Sequence, residues 1–155
     1  MIKIKKAQIS TMDFLTAVFI FSIVLAYAIS AITEAEIKAL TETDYKYMIV
    51  NAIQISDYLS RNPGIPYSWD STNVKMPGLA YDDRMISSQK VDQFCLINQN
   101  DTKDMFRIQY HLYFSLTGNR TVQCGSAPNG DKAVNIKRNV FFEGKDGVLQ
   151  VTLWE

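Results

Sequence analysis

The longest apolar run in the chain covers residues 14–32, none of which carries a charge. Leu, Ile, Val and Phe fill most of these positions, and the polar exceptions are Thr16, Ser22, Ser30 and Tyr27. At ~1.5 Å per residue a helix of this length measures about 28 Å, which is close to the ~30 Å hydrocarbon core of a bilayer. The run therefore predicts a membrane-spanning helix.

A second, amphipathic pattern continues the same helix beyond the apolar run. Apolar residues recur at steps of three, four or eight, at Ile37, Leu40, Met48, Ala52, Ile55 and Leu59. Such a stripe is typical of a helix that packs one face against a domain. No Pro or Gly precedes Pro63, and the sequence Asn62-Pro63-Gly64 is a helix stop. The pattern predicts one helix over residues 11–61.

The C-terminal part alternates apolar and polar residues in a way that predicts strands. We expect strands over residues 108–116, 134–142 and 148–154, with turns at 118–119 and 144–147. Residues 89–97 predict a short helix, and residues 101–106 add another helical turn. The predicted fold class is α+β and pilin-like: a long N-terminal helix, half transmembrane and half amphipathic, packed against a small, mainly antiparallel sheet of three or four strands.

Charges on either side of the apolar run set the expected orientation. Lys3, Lys5 and Lys6 precede the run, and the first charges after it are Glu34 and Glu36. The positive-inside rule therefore places the N-terminus in the cytoplasm. The expected organisation is a cytoplasmic leader peptide at residues 1–7, a transmembrane and assembly helix at 8–33, and an external head domain at 34–155.

Three interpretations of the apolar run follow from these features. Ala26-Tyr27-Ala28 matches the small-x-small pattern of a secretory signal cleaved after Ala28. The run also fits a permanent single-pass anchor of an unrelated external domain. In the third interpretation a peptidase cuts before the apolar run and leaves the helix attached. The unbroken helical pattern through Thr33 favours this third interpretation.

Local sequence at the start of the helix points the same way. Residues 5–14 read Lys5-Lys6-Ala7-Gln8-Ile9-Ser10-Thr11-Met12-Asp13-Phe14. This segment resembles the class III signal peptide of archaeal type IV pilin-like proteins, in which a basic pair and a small residue precede a Gln-x-Ser segment. The resemblance implies leader cleavage between Ala7 and Gln8. The Pro-Gly-x-Pro-x-x-Trp segment at 63–69, the Pro-Gly-Leu segment at 77–79 and the final strand also look like the heads of those proteins.

The resemblance implies a structural role and a set of partners. The chain would be a major or minor subunit of a type IV pilus-like surface filament or pseudopilus. Its partners would be identical or related subunits, a prepilin peptidase, an assembly ATPase with its membrane platform, and membrane lipid before assembly. Asp13 would pair with the N-terminal amine of a neighbouring subunit, although it is the sixth mature residue and such an acid is commonly the fifth. Ser10 to Asp13 also fits a helix capping box.

The two cysteines, Cys95 and Cys124, both lie in the expected external head. Outside the cell they can oxidise to each other, and closing a loop of about thirty residues stabilises a domain by roughly 3 to 4 kcal/mol. The alternative is two buried free thiols. Two glycosylation sequons begin at Asn100 and Asn119, both in predicted loops, and we expect both to carry glycans.

Charge and motif content narrow the remaining functions. Sixteen basic and sixteen acidic residues give a formal net charge of zero, so no global field attracts nucleic acid. His111 is the only histidine, which excludes a two-histidine metal site within one chain. We predict no enzyme activity, metal or cofactor. The alternative to a filament subunit is a single-pass, membrane-anchored binding module that does not polymerise.

Overall fold

The computed structural model describes residues 4–130 and 132–155, and among these it describes no side chains at 4–11 or at 41. Within these residues the three helices are α1 (Ile4–Arg61), α2 (Ser88–Phe94) and α3 (Gln99–Phe106). The strands are β1 (Gly64–Ile65), β2 (Met76–Pro77), β3 (Ala80–Asp82), β4 (Met85–Ile86), β5 (His111–Thr117), β6 (Thr121–Gly125), β7 (Ala133–Phe142) and β8 (Lys145–Trp154). The predicted fold class, α+β with a long N-terminal helix packed on a mainly antiparallel sheet, is confirmed.

The chain divides into two compact units, Met1–Asp44 and Tyr45–Glu155. We call the second unit the head, and we call residues 14–32 of the first unit the apolar segment. Residues of α1 belong to both units, because the helix extends from Ile4 to Arg61. The two stretches of α1 therefore meet different surroundings and are described separately.

A six-stranded sheet forms most of the head, in the order β3-β4-β7-β8-β5-β6. Its strands pair antiparallel except for β4 and β7, which are parallel, and β1 pairs with β2 in a separate ribbon. The prediction of three or four strands was wrong. Strands β1 to β4 are two or three residues long, too short to display alternation, and β6 has five residues with only two apolar ones, Val122 and Cys124.

The core of the head lies between the last turns of α1 and one face of this sheet. Met48, Ala52, Ile55 and Leu59 are each at most 4% exposed. They belong to one cluster with the alternate residues of the central strands, Leu112, Phe114, Leu116, Leu149, Val151 and Leu153. The predicted amphipathic stripe is confirmed from Met48 onward, whereas Ile37 and Leu40 precede the head and are exposed.

Helix α1 ends where its last carbonyls meet a loop of the head. The N–H groups of Leu79 and Arg84 donate to the carbonyls of Leu59 and Ser60, each at 3.0 Å. The Ala80 N–H donates to the Asn62 carbonyl at 3.1 Å. A helix end leaves its last carbonyls without intrahelical partners, and this loop supplies them. The predicted stop at residues 62–64 is confirmed.

Trp69 fixes the segment that follows α1. Its indole Nε1 donates to the carbonyls of Pro63 and Gly78, each at 2.9 Å, and the side chain is 4% exposed. A Cβ on Gly78 would overlap the Asn62 carbonyl, so only glycine allows this approach. The Pro-Gly and Trp pattern of residues 63–79 therefore has a packing role in the head.

The hairpin between β7 and β8 turns two residues earlier than predicted. Its loop is Glu143-Gly144, with φ values of 50° and 82°. Two positive φ values are the signature of a type I′ turn, whose twist matches that of the strands. Lys145, Asp146 and Gly147, predicted as turn residues, lie in β8 instead.

The two short helices also begin and end differently from the prediction. Helix α2 ends at Phe94, three residues before the predicted Ile97, and α3 begins at Gln99. The side chain of Asn98 accepts a hydrogen bond from the Asn100 N–H at 3.0 Å and caps α3. Asn100 therefore lies in a helix, and its predicted loop position was wrong.

Candidate functional site

The apolar segment carries a continuous hydrophobic surface. Its Leu, Ile, Val and Phe side chains are all exposed, from 45% at Val18 to 67% at Phe19. Water-soluble proteins rarely expose a contiguous apolar patch of this extent, and such patches mark contact with lipid or with other proteins. In the part of the chain that the structure describes, α1 is the one helix long and apolar enough to cross a membrane.

Three hydroxyl groups within this surface are satisfied by the helix itself. Thr16, Ser22 and Ser30 each donate to the carbonyl four residues earlier, at 2.8, 2.8 and 3.1 Å. An apolar medium offers hydroxyl groups no partners, and an unmade hydrogen bond there is costly. These internal bonds make the apolar segment compatible with lipid or with a bundle of identical helices.

The structure places the predicted leader-site residues on α1 and leaves their interactions undescribed. The backbone of Lys5, Lys6, Ala7 and Gln8 is helical, and their side chains lie outside the described ones. Because α1 begins at Ile4, Ser10 is not at a helix N-terminus, and the capping-box interpretation of Ser10 to Asp13 does not hold in this chain.

Asp13 is exposed beside the first residue of the apolar segment. A carboxylate next to so many apolar side chains needs either water or a cationic partner once the segment is buried. Asp13 therefore lies at the charged boundary of the apolar segment.

The predicted disulfide is present between Cys95 and Cys124. Cys95 is the C-cap residue of α2, and Cys124 lies in β6. The disulfide joins the edge strand β6 to the C-terminus of α2, and the two cysteines are 29 residues apart in the sequence. The sequence provided the two thiols, but β6 was not predicted, so the element that carries Cys124 was missed.

The two sequons occupy different environments. Asn119 lies in the exposed turn between β5 and β6, as predicted for a loop. Asn100 lies in the first turn of α3, and Thr102, which supplies the hydroxyl of this sequon, is 4% exposed as a residue. The structure therefore separates two motifs that look equivalent in the sequence.

The sheet face turned away from α1 is polar. Its residues alternate with those of the core, and one row across the strands is Lys137, Gln150, Ser115 and Gln123. Neighbouring rows add Asn135 and Asn139, which are exposed. This outer face offers mainly uncharged hydrogen-bonding groups.

Lys90 is a partly buried cation with defined partners, and the sequence analysis did not single it out. Its Nζ donates to the Pro63 carbonyl at 2.6 Å and lies 4.9 Å from the centre of the Tyr67 ring. Partial burial lowers the pKa of Lys90. The cation lies beyond the C-terminus of α1, where the helix dipole favours positive charge, which indicates a structural role.

The described residues contain no group of three or more His, Cys, Asp or Glu side chains that could hold a metal ion. The features on which a function can rest are therefore the apolar segment, Asp13, the exposed turn at Asn119 and the polar outer face.

Fold and site together define an α+β protein whose N-terminal helix includes one segment able to span a membrane. Comparison of the chain with protein-family models, with curated proteins and with solved structures finds no match. A proposal about function therefore rests on the sequence and structure of this chain alone.

Proposed function

We propose that this chain is a type IV pilin-like subunit, major or minor, of a surface filament or pseudopilus. Before assembly it is a single-pass protein of the cell membrane, with its N-terminus in the cytoplasm and its head outside. One observation carries the proposal: a helix whose last turns form the core of the head also holds a continuous, exposed apolar surface at residues 14–32. Such a helix serves as a membrane anchor and then as an assembly surface.

Burial of the apolar segment supplies the energy that holds it in place. Removing apolar surface from water contributes ~25 cal/mol per Å². Lipid tails are themselves apolar, so helices that leave lipid for a bundle gain mainly from close packing. The alanines of the segment, at 17, 26, 28 and 31, are small enough to let neighbouring helices approach.

Processing and charge pairing complete the proposed mechanism. A prepilin peptidase cuts between Ala7 and Gln8, and an assembly ATPase with its membrane platform draws subunits into the filament. The new amine of Gln8 pairs with Asp13 of a neighbouring subunit. A charge in a bundle of apolar helices is tolerated only when it is matched, so this pair sets the register between subunits.

The N-terminal residue of the mature protein tests the processing step. Sequencing of protein taken from the native membrane is expected to begin at Gln8. A mature protein that begins at Met1 would support the unprocessed anchor. One that begins at Ile29 would mean a secreted protein and would contradict the proposal.

Cysteine cross-linking tests assembly. Both native cysteines are joined to each other, so a single added cysteine reports contact between subunits. Ile20→Cys and Ala26→Cys are expected to give disulfide-linked dimers in assembled material. Cysteine at the exposed Tyr81 of the head serves as the matched control, with at least about tenfold less dimer.

Replacement of Asp13 tests the register. Asp13→Asn is expected to reduce the yield of sheared filaments at least tenfold and to leave membrane retention unchanged. Asp146→Asn, at an exposed position of β8, is the control. Normal filament yield from Asp13→Asn would remove the pairing step from the mechanism.

The outer face of the sheet favours a second candidate, a membrane-anchored binding module that does not polymerise. Its exposed Asn135, Asn139 and Gln123 and the half-buried Gln150 present neutral donors and acceptors, which suit a hydroxyl-rich ligand such as a polysaccharide. Under this candidate the mature protein retains the membrane helix and the Ile20→Cys variant remains monomeric.

A further inference from the structure

The head contains two Asn-x-Thr sequons, and the structure makes them unequal acceptors. We propose that Asn119 is the N-glycosylation site of the folded head and that Asn100 is excluded by the fold. The inference rests on the proposed function in one respect only, the placement of the head outside the cell.

The sequon at Asn119 lies at the tip of the β5–β6 hairpin. All five residues from Thr117 to Thr121 are exposed. The Gly118 N–H donates to the Arg120 carbonyl at 3.2 Å, which folds residues 118–120 into a bend. Strand β6 is the last strand of the sheet, and no strand pairs with its other edge in the part of the chain that the structure describes. An enzyme can therefore reach both the Asn119 amide and the Thr121 hydroxyl.

The middle residue of this sequon holds the turn in place. The Arg120 guanidinium donates to Asp92 at 2.7 Å, to Ser88 at 2.9 Å and to Glu143 at 3.0 Å. These bonds join the hairpin tip to α2 and to the β7–β8 turn, and they leave the amide and the hydroxyl of the sequon unused. The acceptor is thus presented on an ordered turn without any need for unfolding.

The sequon at Asn100 is built into a helix. The Asn100 side chain is exposed, but the backbone N–H of Asn100 donates to the side-chain oxygen of Asn98, which caps the helix. Thr102 contributes both its N–H, at 3.0 Å, and its hydroxyl, at 3.1 Å, to the Asn98 carbonyl. Thr102 also lines a cavity of about 280 Å³ beside the Cys95–Cys124 disulfide. Because the sequon requires an accessible hydroxyl two residues after the asparagine, the first turn of α3 would have to unwind before Asn100 could react.

The chemistry is a transfer from a polyprenyl phosphate- or diphosphate-linked oligosaccharide. The Asn119 Nδ2 forms a bond to the anomeric carbon C1 of the first sugar, and the bond from C1 to the phosphate oxygen breaks. The polyprenyl phosphate or diphosphate leaves with that electron pair, and one amide proton is released to a base of the transferase. No oxidant or reductant is needed.

The test uses the full chain, oxidised and folded in detergent, as the acceptor in vitro. It is incubated with a membrane oligosaccharyltransferase and that enzyme's own polyprenyl-linked oligosaccharide. Mass spectrometry of the peptides then gives the occupancy of each asparagine. We expect at least tenfold higher occupancy at Asn119 than at Asn100. Asn119→Gln should lose nearly all of the glycan, and the matched Asn100→Gln should lose none.

Unfolding supplies the second measurement. In acceptor that has been reduced and unfolded, Asn100 is expected to reach an occupancy within about twofold of that at Asn119. Equal occupancy in the folded chain would overturn the proposal, as would an Asn119 that stays bare in both folded and unfolded acceptor.

The outcome is separable from that of the filament proposal, because the reaction requires neither membrane topology nor assembly. Selective modification in vitro together with a bare native protein would support the site and count against an external head. Occupancy of Asn100 equal to that of Asn119 in the folded chain would overturn the site and leave the filament proposal intact.

Discussion

Two stretches of helix α1 have the same backbone structure and opposite surroundings. In the apolar segment Leu25 is 48% exposed, whereas in the head Leu59 is 0% exposed. The first stretch is apolar on all sides, and the second carries one apolar stripe with polar residues between. Helix formation is local, but the distribution of apolar residues around the axis decides whether a helix meets lipid and sister helices or a folded domain.

The hydroxyl groups of the two stretches differ in the same way. Ser22 bonds only within its own helix, to the Val18 carbonyl at 2.8 Å. Ser56, which is buried in the head, donates to the Ile53 carbonyl at 2.9 Å and also accepts a bond from Arg138 Nε in β7 at 3.2 Å. The Ser22 hydroxyl is therefore satisfied by its own helix, whereas the Ser56 hydroxyl is shared with the sheet.

Charges placed in the apolar segment should have the largest effect, because they should prevent this stretch of α1 from lying in lipid. In the double variant Ile23→Lys, Val24→Lys, each lysine raises the free energy of membrane insertion by roughly 2.5–3.5 kcal/mol at the centre of a membrane helix. We expect at least a tenfold loss of protein from the carbonate-washed membrane fraction. The control Ile23→Leu, Val24→Leu should remain in the membrane. Full retention of the lysine variant would show that the segment does not lie in lipid.

A matched pair of leucine truncations sharpens the comparison. Leu59→Ala leaves a cavity in the core and should lower the free energy of unfolding of the head by about 2–5 kcal/mol. Leu25→Ala should leave that free energy unchanged, because Leu25 lies outside the head. Denaturant titration of both variants in the same detergent measures the difference. Equal losses would mean that the two stretches of α1 share one core.

Removal of the disulfide should affect one unit and spare the other. Cys95→Ser with Cys124→Ser opens a loop of 29 residues, and the chain-entropy estimate for such a loop is roughly 3 to 4 kcal/mol. The head should lose this amount of stability in a denaturant titration. Membrane retention of the same variant should equal that of the unaltered chain, because the apolar segment contains no cysteine.

Loss of the Trp69 hydrogen bonds, in the segment that follows α1, should lower the stability of the head by a smaller amount. Trp69→Phe removes the indole N–H that donates to the Pro63 and Gly78 carbonyls and should destabilise the head by about 1–3 kcal/mol. Tyr81→Phe, at an exposed position, is the control and should change the stability by less than about 0.5 kcal/mol. If Trp69→Phe leaves the stability of the head unchanged, the backbone hydrogen bonds alone hold this segment in place.

The ion pair between α1 and the sheet should have the smallest effect. Arg138 Nε lies 3.1 Å from Asp57 Oδ1, and both side chains are partly exposed. Asp57→Asn should cost roughly 0.2–1 kcal/mol, because solvent and salt screen such pairs. The loss should shrink as NaCl is raised from 0.05 to about 1 M, where the Debye length falls to ~3 Å. A loss that is independent of salt would contradict a Coulombic origin.

Sequence patterns of sufficient length predicted their elements well. The apolar segment is a continuous run of 19 uncharged residues, and the stripe from Met48 to Leu59 and the strands β5, β7 and β8 each repeat their period several times, so the signal is local. The ends of these elements were less well predicted. The type I′ turn at Glu143-Gly144 depends on two positive φ values, and the sequence offered several glycines nearby.

By itself the sequence determined that the chain has one helix able to span a membrane and an α+β head. Those features follow from the length of the apolar run and from periodicity along the chain, neither of which needs knowledge of distant contacts. Only the tertiary structure decided that β6 lies at the sheet edge, that the Trp69 indole bonds to the Pro63 and Gly78 carbonyls and that Thr102 is buried while Thr121 is exposed. These facts depend on which distant segments meet, and two identical motifs acquire different chemistry only when their neighbours differ.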